Sequence, residues 1–183
     1  MPKNAATQQH DIPKPIIILS GPPGAGKSTV AAQLIMLLQE PVVYIEGDKF
    51  WFFISKGAEI VGRSKNFRTI MTSMTVAAIP YARAGYTVLL DFCMPPWYLD
   101  TAISLTKLRQ VPLHYVVLRP FEEVCAQRAA SRNEGALADY TPFKDLYASF
   151  NQTPTHIISD DKSNAASIAQ RIKDGFDAGG YAV

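Results

Sequence analysis

Residues Gly21-Pro22-Pro23-Gly24-Ala25-Gly26-Lys27-Ser28-Thr29 fit the pattern GxxxxGK[ST] and offer the clearest chemistry in the chain. Glycines let a backbone turn so that successive N–H groups point inward at a phosphate. A helix starting just after the turn adds the positive end of its dipole at the same spot. In this pattern Lys27 reaches the outer phosphates of a nucleotide, and Ser28 holds Mg²⁺ through its hydroxyl. The whole stretch from Gly21 to Thr29 is therefore expected to cradle a triphosphate.

Two carboxylates could complete such a site. Asp91 closes the apolar run Val88-Leu89-Leu90, where it could position Mg²⁺ or orient a substrate hydroxyl. A strand-end turn residue is the alternative. Asp48 follows Ile45-Glu46-Gly47 and is placed to accept a proton from an attacking hydroxyl. Capping the segment behind it is its alternative role. The aromatic run Phe50-Trp51-Phe52-Phe53 comes next and suits the apolar wall of a small-molecule pocket, with Phe50 and Trp51 the expected contacts. Core packing competes for the same rings.

Arginines supply the third element. At 100° per residue, Phe121, Val124 and Cys125 define the inward face of a helix, and Arg128 and Arg132 fall in that sector. Two arginines on an apolar face need an anionic partner, and a phosphoryl group in transfer is one. Arg119 is a weaker candidate of the same kind. Arg63 and Arg68 could grip an acidic substrate, although Arg68 lies off the apolar stripe of its helix.

Apolar runs alternate with helical periodicity from residue 16 onward, the mark of a parallel sheet covered by helices. Strands are expected at 16–19, 42–45, 87–90, 114–118 and 156–158. Helices are expected at 27–39, from Phe67 past a kink at Pro80 to a cap at Gly85, at 121–133 and at 164–176. The expected fold class is thus α/β, a three-layer sandwich around a five-stranded parallel sheet, with the strand order left open.

Composition sets the outer limits. With 183 residues, 48% hydrophobic and 19% charged, one globular domain over 16–183 is expected. The polar first fifteen residues read as a flexible leader without a signal peptide's apolar region, and a small lid is expected near 128–140. No apolar run approaches the roughly 18 residues of a membrane span, and a cytoplasmic protein is expected. Eighteen basic against sixteen acidic side chains leave +2, which argues against gripping a long nucleic-acid polymer. Cys93 and Cys125 lack metal-site spacing and read as inert thiols; His114 and His156 read as structural.

The phosphate loop, Gly47-Asp48, Asp91, the pair Arg128/Arg132 and the segment Thr155-His156-Ile157-Ile158-Ser159-Asp160 together resemble small P-loop kinases, within the wider AAA-type ATP-binding phosphotransferases. Shikimate kinase, gluconate kinase and chloramphenicol phosphotransferase form that group, with zeta-type toxin kinases more distant. The resemblance implies a P-loop NTPase fold of the nucleoside-monophosphate-kinase type, with ATP and Mg²⁺ as cofactors. It also implies Asp48 as base, Arg128 and Arg132 as lid arginines, and a loop after the last strand packed on adenine. The aromatic run after Asp48 departs from a site built for shikimate or gluconate, and no NKxD guanine signature supports a GTPase. The expected activity is transfer of the γ-phosphoryl of ATP to a hydroxyl of a small molecule. A kinase acting on a nucleic-acid 5′-hydroxyl or nucleotide-sugar, and a non-catalytic ATP-sensing module, are the alternatives.

Overall fold

The computed structural model describes residues 12–133 and 135–183, so residues 1–11 of the expected leader lie outside the described residues. The strands are β1 (Ile16–Ser20), β2 (Val42–Glu46), β3 (Thr87–Asp91), β4 (Leu113–Leu118) and β5 (Ile157–Ile158). All pair in parallel, in the order β2-β3-β1-β4-β5. The helices are α1 (Lys27–Leu37), α2 (Ala58–Val61), α3 (Arg63–Arg83), α4 (Leu99–Lys107), α5 (Glu122–Ala130), α6 (Lys144–Ser149) and α7 (Ala165–Asp177).

β1 is the axis of the molecule, and every one of its residues is buried. Its β-branched run serves both faces by the twofold alternation of a strand: Ile16 and Ile18 enter the core under α3 and α4, Ile17 and Leu19 the core under α1, α5 and α7. Each such side chain withdrawn from water contributes about 1.5–3 kcal/mol. Because β1 lies between β3 and β4, the crossover from β1 to β2 runs to one side of the sheet and that from β3 to β4 to the other, which opens a crevice at the carboxyl ends of the strands. The register Leu19↔Asp91 and Glu46↔Asp91 brings three strand ends level at that crevice.

Several expected boundaries move. α1 stops at Leu37 rather than 39, because Leu38 turns extended ahead of Pro41. α3 continues through Pro80 to Arg83; the proline lies on the solvent face, where the Val76 carbonyl it cannot bond is open to water. Gly85, at φ +95°, ends that helix as its position suggests. α5 covers only Glu122–Ala130, not 121–133, and Phe121 is 63% exposed rather than inward. The chain end folds back instead of trailing: Tyr115 N–H donates to Tyr181 O (2.9 Å) and Val183 N–H to Leu113 O (3.1 Å), so it pairs with the half of β4 that short β5 leaves open. At residues 12–15 Lys14 is bound twice, its N–H to Ala82 O (2.9 Å) and its Nζ to Glu40 (2.6 Å). Glu40 also accepts from Thr87 Oγ1 (2.6 Å), and these hydrogen bonds hold its carboxyl below the usual carboxylate range.

Candidate active site

The phosphate loop joins β1 to α1 at the crevice, and its glycines are fixed by what packs behind them. Gly21 has φ +140°, and a Cβ there would lie 2.1 Å from Leu118 O at the end of β4. Gly24 has φ +80°, and a Cβ would lie 2.0 Å from Cys125 O in α5. Both positions are closed to any side chain. Gly21, Pro22 and Ala25 pack inward, whereas Pro23, Gly24, Gly26, Lys27, Ser28 and Thr29 line an open cleft of about 990 Å³. Lys27 Nζ donates to Gly21 O and Pro22 O, each at 3.2 Å, and so holds the loop curled. The first turn of α1 contains no acidic residue and no side-chain cap, which leaves its free N–H groups and dipole facing the cleft. A cradle with backbone where Cβ atoms would be, one lysine and an uncapped helix start fits a polyphosphate.

Asp91 and Asp48 both line this cleft. Asp91 is buried and accepts a hydrogen bond from the Tyr44 hydroxyl (2.8 Å). Burial, then that bond and the charge of Asp91, push the phenol well above its ordinary value, while Ser28 acts on it in the opposite sense. Ser28, Tyr44 and Asp91 thus gather hard oxygens at one side of the loop, a donor set that suits Mg²⁺ delivered with a nucleotide. Among the described residues no group of three His, Cys, Asp or Glu could hold a metal by itself.

Asp48 sits in a 3-10 turn, Gly47–Phe53, that carries the chain away from β2. Gly47 is required there: a Cβ would lie 2.5 Å from the Phe92 ring and 2.6 Å from Met74 Sδ. Asp48 opens onto the cleft, yet the protein crowding its carboxylate removes enough solvent to raise its pKa. Asp91 and Glu46 add to that rise, and Lys27 and Arg132 oppose it. Glu46 itself pairs with Lys49 at 3.0 Å.

Beyond Asp48 lies a second cavity of about 730 Å³. Pro23, Asp48, Phe92 and Cys93 border both spaces, so a group held in the cavity meets the phosphate cleft at Asp48. Of the aromatic run, Trp51 lines the cavity. Phe50 does not: it packs against the core under α3 and edge-on to Phe53 (5.1 Å), because the tight 3-10 turn sends neighbouring rings in different directions. Phe52 turns to the phosphate cleft. Arg68 also departs from expectation. It is exposed and stacks 4.7 Å over the Trp97 ring, while Arg63, five residues earlier on α3, lines the cavity.

Arg128 and Arg132 line the phosphate cleft, though not by the expected route. The buried face of α5 is Cys125 and Ala129; Arg128 is exposed, and Arg132 lies beyond the helix end. Close packing of α5 on the phosphate loop at Gly24 brings that exposed flank over the cleft, with Arg128 Nη1 4.0 Å from the Cβ position of Gly26. Of the expected lid, residues 131–133 and 135–139 contain no helix or strand; Leu137 N–H donates to Ala129 O (3.0 Å), and Tyr140 then bonds Pro23 O (2.8 Å). Arg119 is held away, stacked 4.1 Å over Tyr147 and donating to its carbonyl. In the segment after β5, Asp160 accepts from Lys162 and Ser163 N–H and pairs with Arg171 (2.7 Å); the backbone bonds hold its pKa at about 2. His114 packs edge-on to Phe176 (4.6 Å), and burial lowers its pKa; neither it nor His156 lines either space.

Tyr44, Phe67, Trp97, Phe143 and Asp145 line or support the site without having been singled out in the sequence. Trp97 could have been found, since Cys93-Met94-Pro95-Pro96-Trp97 leaves β3 at the same edge as Asp91. Tyr44 could not, because its role depends on β2 lying beside β3.

A family model described as AAA domain matches residues 16–151. Among solved structures, the chain resembles the tunicamycin resistance protein of Deinococcus radiodurans (TM-score 0.69, 17% identity, covering 93% of this chain and 98% of that one). It also resembles the Mycobacterium tuberculosis APS kinase CysC in complex with AMPPNP and APS (TM-score 0.64, 17% identity, 90% and 98%). A third likeness is the shikimate kinase of Acinetobacter baumannii in complex with shikimate (TM-score 0.58, 20% identity, 90% and 94%). No curated protein sequence matches. At these identities the likeness is one of fold, the five-stranded parallel sheet of P-loop kinases.

Proposed function

The chain belongs to the AAA domain family, and on that premise we propose that it is an ATP-dependent kinase whose acceptor is a hydroxyl of a small molecule. The observation that carries this reading is the border at Asp48, where the phosphate cleft and the apolar cavity meet. Asp48 accepts the proton of the acceptor hydroxyl held at that border. Lys27 and the N–H groups of the loop and of α1 hold the phosphate chain, and Arg128 and Arg132 face the charge that develops during transfer. Ser28 and Asp91 would hold Mg²⁺. ATP with Mg²⁺ supplies the phosphoryl group and neutralises part of its charge. Walls of aromatic rings exclude water from the acceptor side, which favours transfer over hydrolysis. Such a cavity also suits a compact acceptor better than a polyanionic strand, which takes an exposed basic groove. The cytoplasm supplies ATP and keeps thiols reduced, in accord with the free Cys93 and Cys125.

Calorimetric titration of the full chain with AMPPNP and Mg²⁺ tests the nucleotide site directly. Saturable binding is expected, weakened at least tenfold in Lys27→Ala. Absence of heat from well-folded protein would remove the kinase reading altogether.

A further inference from the structure

Resting on that reading, we infer that the acceptor is a ring-bearing alcohol, aromatic or similarly flat, carrying no net negative charge: neutral or amine-bearing, and not a carboxylic acid. Three features of the second cavity lead there.

The first is its wall. Phe67 stands 5.4 Å from Phe92, tilted, and 6.3 Å from Trp97, edge-on, ring centroid to ring centroid, and all three rings line the cavity. The Arg68 guanidinium stacks 4.7 Å over the Trp97 ring and restrains it. Phe143 and Leu146 add a second apolar wall from the α6 region. Rings held in this way can take another ring edge-on or stacked without a large loss of side-chain entropy on binding.

The second feature is charge. Among the described residues lining the cavity, Arg63 is the one cation, against Asp48 and Asp145. Even with Asp48 protonated the lining is only neutral. An acidic acceptor would need Arg63 to itself, and Asp145 opposes it. The phosphates held by Lys27 on the far side of Asp48 repel it further. A hydroxyl aimed at Asp48 with a ring on the Phe67 surface leaves Asp145 free for an amine.

Size is the third. About 730 Å³ is within the range of pockets that enclose a drug-sized molecule and leaves room for a ring with its substituents.

The chain's two tryptophans, Trp51 and Trp97, both line this cavity, so intrinsic fluorescence reports its occupancy without a label. Three probes share one phenyl ring and one benzylic hydroxyl and differ in charge: 1-phenyl-1,2-ethanediol (neutral), 2-amino-1-phenylethanol (cationic) and mandelate (anionic). Shikimate serves as a non-aromatic acid. Each is titrated into the full chain with AMPPNP and Mg²⁺ present. The diol and the amino alcohol are expected to quench saturably and to bind at least about tenfold more tightly than mandelate, with shikimate weakest. In Asp145→Lys, an exchange on an exposed face of α6, the preference against mandelate should shrink severalfold. Mandelate or shikimate binding as tightly as the diol, or no quenching by any ring-bearing probe, overturns the inference. ADP formation from ATP with the same probes is read separately. Cavity binding without phosphoryl transfer to any probe would remove the kinase reading and, with it, the acceptor role, leaving only the cavity's preference for uncharged rings, while transfer to acids alone would keep the kinase reading and overturn the inference.

Discussion

The Tyr44 hydroxyl donates to Asp91 Oδ2 at 2.8 Å, across from the last residue of β3 to its neighbour strand. β2 and β3 pair in parallel with Tyr44 opposite Leu89, so the phenol reaches diagonally to the carboxylate two positions on. Asp91 is buried, and this bond fixes which of its oxygens remains free toward the cleft. On the proposed function, in which Asp91 would hold Mg²⁺, Tyr44 is a positioning residue for that carboxylate. Tyr44→Phe keeps the ring and removes the donor. The Mg²⁺ concentration giving half-maximal AMPPNP binding should rise by about 10-fold, within the range seen when outer-shell partners are lost, while metal-free nucleotide binding stays unchanged. An equal loss with and without Mg²⁺ would assign Tyr44 to packing alone.

Asp48 combines a base's position with a raised pKa, and the two make opposite demands on function and stability. A base must be ionised, so transfer should fall on acidification through a limb set above the ordinary carboxylate value of 3.8. Asp48→Asn should lower transfer by roughly 10²-fold or more and abolish that limb, while AMPPNP still binds. Stability runs the other way. The folded state holds this proton more tightly than the unfolded chain, so Asp48 lowers stability as pH rises from its ordinary value through its raised one. Above that window the ionised carboxylate costs stability throughout, and at neutral pH Asp48→Asn should unfold no earlier than the wild type. Urea denaturation at two pH values and a pH–rate profile check both halves.

How much of this was legible beforehand follows from the range of the interactions involved. The run at residues 16–19 and the pattern Gly21–Thr29 are local, and both strand and loop stand where the sequence puts them. Arg128 and Arg132 reach the cleft for a reason that periodicity misjudged: the buried stripe of α5 is narrow, and its close approach at Gly24 carries an exposed flank over the loop. Trp51 and Phe50 are adjacent in sequence but separate in space, since a 3-10 turn distributes neighbours around three sides instead of along one wall. Of the two arginines expected to grip a substrate, Arg63 lines the cavity and Arg68 does not, because the cavity meets α3 at its first turn. Tyr44 depends on strand order and Asp145 on the placement of α6, which no local pattern encodes, whereas Trp97 follows from its place just after β3.

Gly24 tests whether the loop is shaped by packing or by ligand. Its φ of +80° and the 2.0 Å approach to Cys125 O leave no space for a methyl group, and the obstacle is backbone, not a flexible side chain. Gly24→Ala should cost about 1–3 kcal/mol in overpacking. It should also push α5 away from the loop and reduce AMPPNP affinity at least tenfold. Gly85, also at positive φ (+95°) but with nothing within 4 Å of a Cβ and away from the cleft, is the control: Gly85→Ala keeps full affinity and costs only backbone strain energy. Chemical denaturation alongside calorimetry separates the two effects, and equal behaviour of the two variants would show that the loop tolerates displacement of α5.

The returning chain end predicts a stability effect remote from the site. Tyr181 accepts from Tyr115 N–H on β4, and its ring covers Gly175, where a Cβ would lie only 2.5 Å away. Removing residues 181–183 leaves the N–H of Tyr115 and the carbonyl of Leu113 without partners at the half of β4 that β5 does not reach. Leu113 and Tyr115 are themselves buried, so water must enter to satisfy these groups. At about 1–3 kcal/mol for each of the two orphaned buried groups, the truncated chain should lose about 2–6 kcal/mol, read as a lower urea midpoint. AMPPNP affinity measured well below that midpoint should not change, because the phosphate loop departs from the opposite end of β1. A truncated chain with an unshifted midpoint would show that the tail covers β4 without stabilising it.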